Sequence, residues 1–400
     1  MYHSVYLSVP SVHFCKNQKK YKESGEKSLN RKKVFILLLS VTLFLFGCAQ
    51  TRILERISLV TLVGYDQDQE DNVKATAVIR QINPNYESSI ETQSETEHTS
   101  KGARTKLDMR TAKQLMIGQL RVVLFGEELA KSGLDEAIHT LMMNSEISTS
   151  TYLAVVEGET KPMIEYKYET ITDIGQYLYN LLKHNIEQQQ SISSTLHEVV
   201  RDKYSPYREF AMPLLKKEGE HIQINGVAFF NNGKMVGRLP ADDIYYVVLL
   251  SDSFKHGTLE LEIPSDNIVS KSKQSGNLQI AVDSIETDRR FDLVSVKPAQ
   301  FDISINMKCR LLEIDSNVPI GNHQVIKKVE KAMSKKMEEE INRIFKYSQQ
   351  VNSDIFGFGE VYKSHLSESE LKNVKWNELY PDIKAKIQVN VDIIRNGTFE

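Results

Sequence analysis

The stretch FDISINMKCRL, residues 301–311, decides how the last third of this 400-residue chain folds, because apolar and polar side chains alternate along its whole length. A second stretch, IKAKIQVNVDI at residues 383–393, repeats the pattern. Strict alternation puts all the apolar side chains on one face of a β-strand. Each stretch therefore predicts a strand with one buried and one wet face, and such strands favour antiparallel sheets.

A long helix is predicted between these two strands, at about residues 325–350. Its apolar positions recur every three or four residues: Ile326, Val329, Met333, Met337, Ile341, Ile344 and Phe345. Such a stripe must pack on a sheet or on the core of its own domain. A third alternating run, Leu259 to Ile263, adds a strand to the same region.

The preceding part of the chain mixes both kinds of element. The runs 57–64 and 73–80 predict a hairpin joined by a polar turn. Residues 86–106, rich in Ser, Thr and Glu, predict an exposed, mobile loop, and residues 110–120 predict a helix. The string Asn231-Asn232-Gly233-Lys234 predicts the turn of a second hairpin, since Asn-Gly is a strong hairpin dipeptide.

Together these patterns predict an α+β fold with three domains, mainly antiparallel sheets packed by helices, and one long helix in the C-terminal domain. The predicted segments are a leader at 1–47, an N-terminal α+β domain at 48–165, a mostly helical middle domain with a hairpin at 166–255, and a C-terminal α+β domain at 256–400.

The charge is unevenly distributed along the chain. The first 33 residues carry a net charge of +6, and residues 34–47 carry none. Because the formal net charge of the whole chain is −3, residues 48–400 carry −9. An acidic body argues against a nucleic-acid partner, whose phosphates require a basic face.

The N-terminus has the pattern of an export signal. Arg31-Lys32-Lys33 precede thirteen uncharged residues, 34–46, too few for a spanning helix, which needs about 20. The string LFGC at 45–48 resembles a lipobox, although Phe46 is bulkier than usual there. We therefore predict cleavage before Cys48, attachment of a diacylglyceryl group to its thiol and acylation of the new amine, with fatty acids such as palmitate. An ordinary signal, or an uncleaved short anchor with an incidental cysteine, is the alternative.

No catalytic, cofactor-binding or metal-binding constellation is predicted. The run His197 to Arg201 lacks the second histidine of a zinc-protease motif, and Glu198 with Thr195 predicts a helix capping box instead. Gly357-Phe358-Gly359 lacks the third glycine of a phosphate loop, so we expect these glycines to serve backbone geometry. Cys309 lies on the apolar side of its strand, which predicts a buried thiol rather than a nucleophile.

Five strings, taken in order, resemble those of the Ger(x)C family, the C-subunit lipoproteins of bacterial spore germinant receptors. The strings are ERISLVTLVGYD at 55–66, GQLRVVLFGEELA at 118–130, GVAFF with GKMVG at 226–237, SDIFGFGE at 353–360 and NVDIIRNG at 390–397. The family's C-terminal homology block would cover about 222–397. Gln119 stands where the family usually has histidine, and the family's Trp-Asp-rich start is absent after Cys48.

The resemblance implies a three-domain α+β lipoprotein, anchored through Cys48 at the outer face of the spore inner membrane. It implies a receptor with integral-membrane A and B subunits, a role in nutrient-triggered germination through protein–protein contact, and no enzymatic activity or cofactor. The alternative is a solute-binding lipoprotein of a transport system. That class needs two lobes with parallel sheets, which the alternating runs disfavour.

Overall fold

Two β-sheets organise the part of the chain that the computed structural model describes. The described residues are 57–69, 72–82, 88–252, 257–265, 268, 276–314 and 318–394. The predicted leader at 1–47 and the predicted lipidation site Cys48 lie outside them. No helix within the described ranges is both long and apolar enough to cross a bilayer.

The first sheet has nine strands, in the order β3-β2-β1-β5-β6-β7-β8-β9, with β4 paired to the start of β1. The strands are β1 (Ile57–Gln67), β2 (Val73–Ile82), β3 (Ser88–Glu97), β4 (Gln114–Met116), β5 (Val122–Gly126), β6 (Tyr152–Val156), β7 (Ala211–Glu218), β8 (His221–Asn231) and β9 (Lys234–Pro240). Strands β7 to β9, which follow residue 165, thus continue the sheet that β1 to β6 begin. The division into three domains stays a prediction.

Helices cover both faces of this sheet. They are α1 (Ser100–Arg110), α2 (Glu127–Ser132), α3 (Asp135–Met142), α4 (Thr160–Glu165), α5 (Ile174–Glu187) and α6 (Leu196–Lys203). Side chains from α1, α2, α3 and α6 share one core with one face, and those of α4 and α5 share a second core with the other. The sheet is therefore a buried layer through most of its width.

The second sheet has four strands, in the order β10-β11-β12-β13, and builds the third core. Its strands are β10 (Leu259–Pro264), β11 (Asn277–Val296), β12 (Ala299–Ile314) and β13 (Lys384–Ile393). The helices of this part are α7 (Ile244–Ser251), α8 (His323–Gln350), α9 (Phe358–Ser364), α10 (Glu368–Leu371) and α11 (Trp376–Leu379). The long helix α8 begins after Asn322, whose side chain accepts a hydrogen bond from the amide of Gln324.

The α+β fold class is confirmed, and its sheets are mixed. Among the described strands, six pairings are antiparallel and five are parallel. The expectation that alternation favours antiparallel pairing is wrong for β12 and β13, which run parallel from Gln300 beside Lys384 to Cys309 beside Ile393. The reason is the connection, because α8 carries the chain back along the sheet before β13 begins.

Two predictions for the N-terminal part are wrong. Residues 88–97, within the predicted mobile loop, form the edge strand β3, and residues 100–110 form helix α1. Strand β3 has almost no apolar side chains and so gives no alternating pattern. Its register is fixed by pairing with β2 rather than by a buried apolar face. The helix predicted at 110–120 is absent, since α1 ends at Arg110 and the three-residue strand β4 follows.

The predicted second hairpin is confirmed. Asn232 and Gly233 have φ angles of 48° and 76°, which is the left-handed pair that a two-residue hairpin turn requires. In β8, Val227 and Phe229 belong to the core of the C-terminal part, whereas Ala228 and Phe230 belong to a core of the first sheet. Strand β8 therefore packs on a different core with each of its faces.

Candidate functional site

The predicted capping box and buried thiol are both present. The backbone amide of Thr195 donates to Glu198 at 2.8 Å, and the amide of Glu198 donates to the Thr195 hydroxyl at 3.3 Å. Cys309 is fully buried in β12, and burial raises the pKa of its thiol to about 12. A thiol with such a pKa stays protonated at neutral pH and is a poor nucleophile.

The described residues contain no group of three or more His, Cys, Asp or Glu side chains placed to hold a metal ion. A polar site with several internal hydrogen bonds is present in the C-terminal part of the chain. That site surrounds Asp354, in the segment 352–360 that follows α8 and contains the distinctive string SDIFGFGE.

The carboxylate of Asp354 is buried and accepts four hydrogen bonds. Its Oδ1 accepts from the amides of Gly357 at 2.9 Å and Phe358 at 3.2 Å. Its Oδ2 accepts from the amide of Gly359 at 2.8 Å and from Trp376 Nε1 at 2.9 Å. Burial raises the pKa of Asp354 to about 6, while the four donors favour the charged form. The carboxylate thus fixes the start of α9 and links it to α11.

The two glycines of this segment have the geometric role that the sequence predicts. Gly357 has a φ of 84°, in the left-handed region that favours glycine. A Cβ atom on Gly359 would lie 2.2 Å from the carbonyl oxygen of Tyr207 and 2.7 Å from Trp376 Nε1. Because a Cβ atom does not fit between the Tyr207 carbonyl and the Trp376 indole, this position requires glycine.

The same segment ties the two sheets together. The Ser353 hydroxyl donates to the carbonyl oxygen of Phe230 in β8, and Asn231 Nδ2 donates to the carbonyl oxygen of Asn352 at 2.7 Å. The amide of Glu209 donates to the carbonyl oxygen of Asp354 at 2.9 Å. We call residues 208–209, 230–232 and 352–360 the junction.

A second buried carboxylate belongs to the junction. Glu209 is 7 % exposed, and its carboxylate accepts from the amide of Asn232 at 3.2 Å. Burial raises the pKa of Glu209 to about 7, and the nearby charge of Asp354 contributes to the increase. The junction therefore contains two carboxyl groups whose pKa values lie well above the usual range for such groups.

A polar cleft of about 390 Å³ opens beside the junction, between α6 and the end of α7. Two arginines of its lining pair with Asp202: Arg201 Nε lies 2.7 Å from Asp202 Oδ1, and Arg208 Nε lies 3.5 Å from Asp202 Oδ2. The junction and the cleft therefore offer hydrogen bonding and ion pairing, and within the junction the Asp354 carboxylate holds the backbone amides of residues 357–359.

A comparable structural site in the first sheet was not recognised in the sequence. The solvated turn predicted around Asp66 is wrong for this residue, which is buried in β1 and accepts from the amide of Thr160 at 2.6 Å, the Thr160 hydroxyl at 2.8 Å and the amide of Lys161 at 3.0 Å. It thereby caps α4. A Cβ atom on Gly64 would lie 2.3 Å from the Thr160 hydroxyl oxygen, and one on Gly126 would lie 2.3 Å from Asp66 Oδ1. The signal was present in the strings GYD and FGEE, whose small residues leave room for this contact.

The fold and the junction define the class of the protein: it is an α+β protein in which the polar junction connects the two sheets by hydrogen bonds. Two family models identify the class further. The model for the spore germination protein N-terminal domain matches residues 50–217, and the spore germination B3/GerAC-like C-terminal model matches residues 225–397. The chain therefore belongs to the Ger(x)C family of germinant receptor C subunits, as the five strings predict.

Known relatives agree with this assignment. Spore germination protein GerQC of Bacillus cereus is 25 % identical over 369 residues, which is 92 % of this chain and 100 % of that protein. Spore germination protein KC of Bacillus subtilis (strain 168) is 20 % identical, over 90 % of this chain and 95 % of that protein. The crystal structure of the GerBC protein has a similar fold, with a TM-score of 0.50 and 15 % identity, over 83 % of this chain and 97 % of that chain.

These findings assign the chain to spore germination as a germinant receptor C subunit. The alternative function, a solute-binding lipoprotein of a transport system, is not supported by them.

Proposed function

We propose that this C subunit is a lipid-anchored, non-catalytic component that acts by contact with the integral-membrane A and B subunits of the same receptor, at the outer face of the spore inner membrane. The observation that carries the proposal is the string LFGC at 45–48, placed directly after a basic segment and an uncharged run. An acylated Cys48 would confine the body to the membrane surface and so raise its effective concentration near membrane partners.

The outer face of the second sheet supports the contact role. One face of β12 and β13 is buried, and the other carries alternating polar side chains. The exposed residues of that second face are Asp302, Asn306, Lys308, Lys384, Lys386, Gln388, Asn390 and Asp392. An uncovered face of mixed charge suits a partner bound through hydrogen bonds and ion pairs, since non-obligate interfaces are about as polar as the rest of a surface.

The anchor is tested with Cys48→Ala in the native spore former, with Cys15→Ala in the leader as the matched control. We expect Cys48→Ala to leave the protein uncleaved or released, and to impair nutrient-triggered germination, whereas Cys15→Ala changes neither. Membrane fractionation and germination of purified spores measure the two effects. A Cys48→Ala protein that remains mature in size, membrane-bound and fully active would contradict the proposal.

The contact role is tested by deletion followed by a panel of nutrients. We expect sporulation to be normal and the response to the cognate nutrient to be lost. Binding of that nutrient by the isolated body at micromolar concentration would instead favour a solute-binding role.

A further inference from the structure

A groove between α1 and the end of α3 has positive charge and no carboxylate in its lining. Its volume is about 330 Å³, and the residues that line it are Lys101, Arg104, His139, Thr140, Met143, Asn144 and Ser145. Within the described part of the chain, Lys101 and Arg104 form no ion pair, whereas Lys106 and Arg110 of the same helix pair with Glu97 and Glu95. The groove therefore presents two uncompensated cations.

The sign of this charge is opposite to that of the body. Residues 48–400 carry a net charge of −9. On α1, Lys106 and Arg110 are neutralised by Glu97 and Glu95, so the local positive charge at the groove is that of Lys101 and Arg104. A local excess of Lys and Arg on an acidic protein is an attachment point for an anionic partner, because the rest of the surface repels that partner and so orients the approach.

Exposed methionines lie next to these cations. Met143, which lines the groove, is 67 % exposed, and its neighbour Met142 is 37 % exposed. On the outward side of α1, Met109 is 80 % exposed. Flexible apolar side chains beside basic ones are the combination that inserts into the headgroup boundary of a bilayer while the charges contact phosphates.

The chain enters the body close to this surface. Ile57, the first described residue, pairs with Gln114, which follows the end of α1 by four residues. Nine residue steps connect Cys48 to Ile57, and at about 3.3 Å per step they span at most ~30 Å. Helix α1, with 11 residues, is only about 16 Å long. A bilayer that holds an acyl chain on Cys48 is thus within reach of the whole length of α1.

We propose that the surface formed by α1 and the end of α3, with Lys101, Arg104, Met142 and Met143, docks on the anionic phospholipid surface of the membrane. This inference rests on the proposed anchor at Cys48, and it specifies which side of the body faces the bilayer. The groove binds the phosphate of a lipid headgroup through Lys101 and Arg104, and the methionines contact the acyl boundary.

The test uses residues 49–400 without a lipid, since residues 54–400 form one compact unit. The protein is sedimented with vesicles of phosphatidylcholine alone or of phosphatidylcholine with phosphatidylglycerol. We expect binding only to the anionic vesicles, weakened by added salt. Lys101→Glu with Arg104→Glu should lower the affinity at least about tenfold, because each cation near an anionic surface contributes measurably. Lys328→Glu with Lys331→Glu on α8 makes two charge reversals elsewhere and should have little effect.

Circular dichroism and thermal unfolding of each variant show that the fold is retained, and Met143→Ser tests the apolar contact with no change of charge. Inorganic phosphate is added at matched ionic strength as a separate arm. Equal binding to neutral vesicles, equal losses in both double variants, or full displacement by phosphate alone would overturn the docking surface. Displacement by phosphate would indicate a site for the free ion.

Failure of this test is distinguishable from failure of the anchor. If Cys48→Ala impairs germination but residues 49–400 do not bind anionic vesicles, only the proposed docking surface is wrong.

Discussion

The carboxylate of Glu338 on α8 accepts a hydrogen bond from the backbone amide of Val389 on β13, at 2.9 Å. Two further contacts repeat it along the same helix and strand: the amide of Val391 donates to the Ser334 hydroxyl at 3.1 Å, and the amide of Ile393 donates to Glu330 Oε1 at 3.1 Å. Three side chains on one helix therefore bind three successive outward amides of an edge strand.

The match follows from the two geometries. Four residues of an α-helix rise about 6 Å, and two residues of a strand advance about 6.6 Å. Acceptors four residues apart on α8 therefore have nearly the same spacing as amides two residues apart on β13. The helix takes the place of a fifth strand and protects an edge that could otherwise pair with another chain.

The first prediction concerns this edge. Glu338→Ala removes the acceptor of the Val389 amide, and we expect the free energy of unfolding to fall by about 1–2 kcal/mol, the usual effect of losing a hydrogen bond to a charged group. Glu339→Ala, on the exposed side of α8, is the matched control and should change the stability by less than about 0.5 kcal/mol. Urea denaturation of both variants measures the difference. Equal losses of stability in the two variants would mean that Glu338→Ala acts through helix propensity and not through the contact with β13.

The second prediction ranks three glycines. Gly359→Ala forces a methyl group against the carbonyl oxygen of Tyr207 and should cost about 3 kcal/mol. Gly357→Ala has space but must hold a φ of 84°, so we expect a cost of about 1–2 kcal/mol. Gly321→Ala, with open space around it, should be nearly neutral. Thermal unfolding gives the order.

A different result would change the interpretation of the string SDIFGFGE. If Gly357→Ala and Gly359→Ala left the stability unchanged but abolished germination in spores, the glycines would be contact residues for a partner rather than structural ones.

The third prediction concerns pH. Burial raises the pKa of Glu209 from its ordinary value of 4.5 to about 7, so the folded protein binds this proton more tightly than the unfolded chain. The contribution to stability is therefore fully present below about pH 4.5 and is lost as the pH rises to about 7. Asp354, whose pKa is raised to about 6, acts in the same direction.

Glu209→Gln removes one of these two titrations. We expect the loss of stability between about pH 5 and pH 8 to shrink by about 2–3 kcal/mol in this variant, because one pKa unit corresponds to about 1.4 kcal/mol and most of the shift is titrated in this range. Glu218→Gln, an exposed carboxylate at the end of β7, serves as the control. Urea unfolding at the two pH values measures the change, and an unaltered pH dependence in Glu209→Gln would refute the assignment.

Periodic patterns in the sequence correctly predict the strands and the helix that bury only one face. The runs at 301–311 and 383–393 are strands, and the stripe that begins at Ile326 is a helix, because each buries one regular face. The parallel pairing of β12 and β13 could not be predicted from those runs, since alternation reports which face is buried and not the direction of the neighbouring strand.

Elements stabilised mainly by their partners gave no periodic signal. Strand β3 is polar along most of its length and depends on β2 for its register. The junction was visible only as a glycine-rich string, because the groups that demand those glycines, such as Tyr207 and Trp376, are distant in sequence. The place of Asp66 escaped prediction for the same reason, as its partner Thr160 lies 94 residues away.

Strand β8 has a mechanical consequence. Since Phe229 faces one core and Phe230 the other, a hinge at this point would have to open a hydrophobic layer and break strand pairing at once. The two sheets therefore share β8 as a common layer, and separating them would expose apolar side chains of both cores at the same time.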